Sequence, residues 1–256
     1  MTKRSADPLL AIWLVTASGG LVAGVATLFV SFPSREAWSY LAGSLVLHLV
    51  YQLSLAYAYR HGDLSQVYPI ARGVAPCVVG GLAAVYAGEP LSAERALGAA
   101  LAAGSIISLA LGAGARPTAR PVIAAVGTGL LIGSYTYVDA EGVRLSRSPF
   151  DFIAWSLFLD ALPITIAAIS LRARHVPAFL RTELRYGIGA GILATLAYGI
   201  VLWAMSRTSM VSVAAVRETS VIFSALIGAR MLREPFGARR VAASVGMVAG
   251  ITLLTS

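Results

Sequence analysis

The sequence predicts an all-α polytopic membrane protein of about nine transmembrane helices in two inverted-topology repeats. Three observations predict it. Hydrophobic residues form 57% of the 256-residue chain and charged residues 12%, about half the charged share of an average soluble domain. Nine apolar segments alternate with short polar punctuation, each close to the roughly 20 helical residues that a bilayer core needs. A set of charged residues recurs at a fixed offset that spans an odd number of segments. The mean hydropathy of +0.77 is more apolar surface than a water-soluble fold hides. It excludes disorder, because disordered chains are poor in apolar residues. Cys77 is the one cysteine, so a disulfide scaffold is excluded as well.

The segments run 9–30, 37–59, 66–87, 93–112, 120–139, 150–170, 185–206, 210–230 and 237–255. Pro8 opens the first, which is long enough to span and lacks the cleavage pattern of a signal peptide. Ser31 to Arg35, with Pro33, separates it from the second. Arg60-His61-Gly62-Asp63 separates the second from the third, and Glu89-Pro90 the third from the fourth. Pro117 and Pro121 flank the entry to the fifth, where proline in a first helical turn loses nothing. Arginines mark the later boundaries.

The net charge of +8 and pI of about 10.1 suggest nucleic acid in a soluble chain. Here the basic residues lie between apolar runs, so they read as orientation charge, with no nucleic-acid partner. Thirteen fall on one side in alternate loops and five on the other. The richer side is expected in the cytoplasm, with Met1 inside and Ser256 outside.

Two stretches match each other, Tyr51 to Leu109 and Tyr198 to Leu254. Arg60 and Arg207 end the first helix of each, and Ser65 and Ser212 follow. Then come Arg72 and Arg217, Glu89-Pro90 and Glu234-Pro235, and Arg95 and Arg240, at a constant offset of 145 residues. Five helices separate the copies, so the copies face opposite ways across the bilayer. Inverted repeats of this kind are a recurring transporter plan.

These residues also resemble a known family. Ala58-Tyr59-Arg60-His61-Gly62-Asp63-Leu64-Ser65, Tyr68-Pro69-Ile70-Ala71-Arg72-Gly73 and Gly88-Glu89-Pro90-Leu91-Ser92 are similar to the first half of an EamA-like transporter of the drug/metabolite superfamily. Val216-Arg217-Glu218-Thr219-Ser220 and Leu232-Arg233-Glu234-Pro235 are similar to the second half. The resemblance implies repeats over 1–115 and 116–256 and ten helices, of which the first has no counterpart here. Roughly 30 further residues, about one helix, are then expected upstream of Met1. It also implies a secondary transporter in the inner membrane that exports a small organic solute, an amino acid or another anionic or zwitterionic metabolite. The alternatives are a non-transporting scaffold or a subunit of a larger complex.

Several residues are candidates for the chemistry. Arg72 and Arg217 lie roughly 10 Å inside their helices, where an arginine facing lipid costs about 2.5–3.5 kcal/mol. Each therefore faces a cavity or an acid. They read either as a paired clamp on a substrate anion or as structural locks. Glu218 is expected to neutralise Arg72 or to carry a coupling proton. Asp160, before Pro163, is either a second proton carrier or a polar tie. Asp139 is expected to pair with Arg144. Tyr51, Tyr68, Tyr135, Tyr198, Trp203 and His48 line a cavity or serve as interfacial anchors. Glu89 and Glu234 anchor turns. Gly129/Gly133, Gly187/Gly191 and Gly246/Gly250 read as close-packing pairs. No catalytic constellation, metal-ligand spacing or cofactor motif is visible, so the expectation is no enzyme, no metal and no cofactor, in a monomer or homodimer.

Overall fold

The computed structural model describes residues 7–61, 64–89, 92–111 and 119–220, with residues 242–243, 245–246, 249–250 and 253. Eight α-helices fill the continuous stretches: α1 Pro8–Ala26, α2 Trp38–His61, α3 Leu64–Tyr86, α4 Ala93–Leu111, α5 Ala119–Leu145, α6 Pro149–Arg172, α7 Val176–Met205 and α8 Met210–Glu218. The described residues include no strand. The rest of the eighth segment and most of the ninth, with Glu234, Pro235 and Arg240, lie outside the described residues, as do Lys3, Arg4, Gly62, Asp63, Pro90 and Pro117.

Five stretches are long and apolar enough to cross a membrane: Pro8–Phe29, Arg35–His61, Val67–Tyr86, Ala119–Leu145 and Pro149–Met205, the last containing both α6 and α7. The protein is an all-α polytopic membrane protein.

Helix starts follow the local chemistry. Asp7 caps α1 by accepting from the amides of Leu9 and Leu10, with Pro8 next to it. Ser148 caps α6 ahead of Pro149 in the same way. Two helices run further than hydropathy predicts. Beyond Asp139, α5 continues to Leu145, where Glu141 and Arg144 pair one turn apart and Arg144 donates to the Met205 carbonyl. Helix α7 begins at Val176 rather than 185. Its first turns carry Arg181, Glu183 and Arg185, yet Val176, Phe179 and Leu180 pack on the core around Leu10, Trp13 and Ile164. Amphipathic turns of this kind carry too many charges for a hydropathy count to include.

The chain forms two compact units, Met1–Ala56 with Val138–Arg207 and Tyr57–Tyr137 with Thr208–Ser256. Each draws helices from both halves of the sequence. In the first, α1 packs along α6 and α7. In the second, α3 packs on α4 and α8.

Glycines set the approach within each unit. A Cβ on Gly191 of α7 would lie 2.6 Å from the Val15 carbonyl oxygen of α1, and one on Gly187 would strike Leu14. A Cβ on Gly129 of α5 would lie 2.6 Å from the Ala71 carbonyl oxygen of α3, and one on Gly133 would strike Val78. Gly246 and Gly250 stand in the same relation to Ser105, Gly98 and Ala102. All three spaced pairs thus pack helices inside one unit. Gly189, between the α7 pair, meets nothing within 4 Å. Gly191→Val is expected to lower the melting temperature of the purified protein, with overpacking costing about 1–3 kcal/mol. Gly189→Val, which adds the same side chain at an open position, is expected to leave melting nearly unchanged. Equal effects of the two would remove close packing as the role of Gly191.

Asp7 also ties the start of α1 to the end of α6, accepting from Arg172 Nε at 2.7 Å. Burial raises the carboxyl, but the Arg172 hydrogen bond, the Leu10 and Leu9 amides and the Arg172 charge outweigh it and hold it below its ordinary 3.8. A carboxyl lowered on folding contributes stability that is fully present above the unfolded value. That contribution is lost as pH falls through the folded value. Asp7→Asn keeps a capping oxygen but loses the ion pair with Arg172, so it is expected to destabilise at neutral pH by at most about 1 kcal/mol. The gap from wild type should close below the ordinary aspartate range when melting is followed against pH.

Candidate functional site

Among the described residues, each unit holds a buried polar cluster. In the second unit it forms where α3 meets the end of α8. Arg72 Nε lies 2.9 Å from Glu218 Oε2, and Arg217 Nε lies 3.6 Å from Glu218 Oε1. The Glu218 side chain is fully buried and both guanidinium groups are largely so. Arg72 Nη2 donates to the Arg217 carbonyl at 3.5 Å and to Ser220 Oγ at 3.3 Å, and its guanidinium stands 5.9 Å from the Tyr68 ring centre. Neighbours on a helix diverge by about 100°, yet at the end of α8 Arg217 and Glu218 do approach. Glu218 thus stands against Arg72, the placement that one of its two sequence readings requires.

A short loop sets up this corner. Gly88 takes φ +65° after α3, a left-handed conformation that glycine enters without strain. Next to it, Glu89 accepts from Ser209 Oγ at 2.9 Å and from the Met210 amide at 3.2 Å. A carboxylate at a helix N-terminus meets free N–H groups and the favourable end of the helix dipole. Glu89 thus anchors the start of the helix that carries Arg217 and Glu218.

In the first unit the cluster joins α2, α5, α6 and α7. Ser44, His48 and Gln52 recur every four residues on one face of α2, and all three are buried. Tyr198 on α7 donates to Asp139 Oδ2 at 2.6 Å, and His48 Nε2 lies 3.7 Å from the same oxygen. Gln52 Nε2 donates to both carboxylate oxygens of Asp160, at 2.9 and 3.1 Å. His48 Nδ1 lies 3.1 Å from the Ser44 carbonyl oxygen and 3.2 Å from Ser44 Oγ. The rings of Tyr51 and Tyr198 stand edge-on to His48, at 6.5 and 6.1 Å.

The structure therefore brings the predicted residues together in two groups. Arg72, Arg217, Glu218 and Tyr68 form one; Asp160, Tyr198, Tyr51 and His48 belong to the other. Tyr135 is buried on α5 in the second unit. Trp203 is exposed, continuing the outward row Leu193, Leu196 and Ile200 on α7. Trp203 thus shares an exposed stripe of apolar side chains, the setting that its reading as an anchor requires. Asp139, expected beside Arg144, takes the Tyr198 hydroxyl and the His48 ring as partners. Sequence reading missed Gln52 altogether. The four-residue polar spacing along α2 was the signal that pointed to it.

A polytopic helical bundle with ion pairs and polar side chains buried inside its units is the class of a membrane transporter. The comparisons with known proteins make this specific. The model of the EamA-like transporter family matches residues 119–256. An uncharacterized protein of Pseudomonas aeruginosa is 30% identical over 226 residues, covering 87% of this chain and 74% of that one. A solved crystal structure superposes with a TM-score of 0.77 at 15% identity, covering 99% of this chain and 89% of that chain; it shows a shared fold. The chain belongs to the EamA-like transporter family, and it is a multi-pass membrane transporter of the drug/metabolite superfamily.

Removing the shared acid tests the first cluster. Glu218→Gln leaves two buried guanidinium groups facing an amide, and stripping one partner from a buried pair costs about 3–5 kcal/mol. Expected is a large fall in melting temperature and in folded yield from membranes, with Glu218→Asp milder. Unchanged melting would show that Glu218 is not what compensates the arginines.

Proposed function

We propose that this protein exports a small anionic or zwitterionic solute, an amino acid or another carboxylate, across the cytoplasmic membrane. Its two inverted repeats, residues 1–115 and 116–256, alternate access to the solute. One observation carries this reading. Among the described residues, the cluster at Glu218 contains two guanidinium groups and one fully buried carboxylate. A buried excess of one positive charge favours a visiting anion, because low surrounding dielectric strengthens the attraction. A planar carboxylate also matches the guanidinium fork with two parallel hydrogen bonds.

Arg72 sits closer to Glu218 and keeps it in place, while Arg217, at the longer distance, supplies the charge that the solute meets. The aromatic surfaces assigned to the solute are Tyr68 and Tyr135 in the second unit and Tyr51 and Tyr198 in the first. Glu218 and Asp160 are the acids assigned to proton coupling.

Arg217→Ala separates clamp from lock. It removes the excess charge yet leaves Arg72 and Glu218 as a matched pair. In liposomes carrying the purified protein, uptake of amino and organic acids is expected to fall about tenfold or more, the worth of one charge-assisted bidentate contact. Melting should stay close to wild type. Unchanged uptake overturns the clamp, and a matching loss of melting assigns Arg217 to the scaffold instead.

A further inference from the structure

His48 stands in an environment built for two protonation states. Its Nδ1 has two neighbours from one residue, the Ser44 hydroxyl at 3.2 Å and the Ser44 carbonyl oxygen at 3.1 Å. A hydroxyl can donate to a bare ring nitrogen, whereas a carbonyl can only accept. When Nδ1 is bare, the hydroxyl donates to it and the ring proton sits on Nε2, facing Asp139 Oδ2 at 3.7 Å. When Nδ1 is protonated, its N–H turns to the carbonyl oxygen while Nε2–H still faces the carboxylate. Neither state strands a ring nitrogen.

The titratable groups around His48 are Asp139 from α5, Tyr198 from α7, Tyr51 on its own helix and Asp160 from α6, within electrostatic reach. The tyrosines are neutral near pH 7. Two buried carboxylates thus surround one ring able to turn cationic. Gln52 repeats the pattern at Asp160. Its Nε2 donates to both carboxylate oxygens, while its buried Oε1 has no hydrogen-bond donor among the described residues. Rotating that amide by half a turn sets the oxygen against Asp160, ready to accept from a protonated carboxyl. The network can hold its carboxylates with or without an added proton.

We propose that the His48–Asp139 pair is a proton-binding site of the transporter, with Nδ1 of His48 the atom that takes up the proton and Ser44 the switch that accommodates it. A water-borne proton adds to Nδ1, the Ser44 hydroxyl rotates away, and the imidazolium pairs with Asp139. Release reverses these steps. The inference rests on the transport reading for its purpose, since a site that loads and unloads a proton is what a coupled exporter requires. The chemistry at His48 can be measured without transport.

The chain has three histidines, and His61 and His175 are exposed. A His61→Gln, His175→Gln protein leaves His48 alone for nitrogen-15 NMR in lipid nanodiscs. Expected at high pH is a neutral ring protonated on Nε2, becoming imidazolium in one step as pH falls. In Asp139→Asn the midpoint moves to lower pH by about one unit or more, because an opposite charge has been removed. A ring that stays neutral throughout, a high-pH proton on Nδ1, or a midpoint indifferent to Asp139→Asn each overturns the proposal. In liposomes, His48→Gln is expected to lose the acceleration of solute exchange by a pH gradient. Retained acceleration also overturns it. If no acidic solute is carried at all, the transport reading fails while the titration still decides the proton site.

Discussion

Charge carried into an apolar interior has to be compensated inside the protein, because hydrocarbon offers neither water nor counterions. Glu218 shows how strongly this constrains the fold. Its carboxylate has no exposure and lies within 3.6 Å of two guanidinium groups. For that to happen α8 must start at the right place and meet α3 at the right depth. Glu89 fixes the start by accepting from the Met210 amide and Ser209. The contact between α3 and α8 fixes the depth. A one-residue slip of α8 would rotate Glu218 by about 100° and leave three charges without their partners.

Small residues make such contacts possible. Between lipid-bathed helices the hydrophobic effect gives little net attraction, so close van der Waals approach and hydrogen bonds hold the bundle together. Gly187 and Gly191 let α7 lie against α1, and Gly129 and Gly133 let α5 lie against α3. Near the polar cluster of the first unit, Gly142 of α5 admits the buried ring of Phe152, whose position a Cβ would claim. Glycine packing and polar clustering are therefore one design. Backbones that approach closely bring short side chains such as Asp139 within reach of Tyr198.

Much of this was legible in the sequence. Apolar length located the helices, prolines located several of their starts, and the 145-residue offset singled out Arg72 and Arg217. Repeat-equivalent residues do converge: Arg72 and Arg217 meet at Glu218, while Tyr51 and Tyr198 flank His48. What stayed hidden depended on rotation about helix axes, which hydropathy averages away. Asp139 looked like a helix end because Glu141, Gly142 and Arg144 follow it within five positions. The helix continues to Leu145, so its side chain turns inward to Tyr198. Gln52 escaped notice because a neutral amide in an apolar run carries no charge signal, although Ser44, His48 and Gln52 together mark one face of α2. Trp203 left two readings open for the opposite reason. Its aromatic character suggested a lining role, while its register with Leu193, Leu196 and Ile200 put it among outward residues.

The sign of each cluster selects what it can take up. Among the described residues two cations share one acid at Glu218, which is why the solute proposed there is an anion. At His48 two acidic side chains lie around one imidazole, the arrangement on which the proposed proton site rests. The sizes of the groups sharpen the distinction. Guanidinium forks present several donors to a flat acceptor and suit an organic carboxylate. The His48 network consists of side chains already in contact, each able to exchange donor and acceptor roles, and suits a ligand with no volume of its own. A proton is the one cation that such a packed network can admit without moving its helices apart.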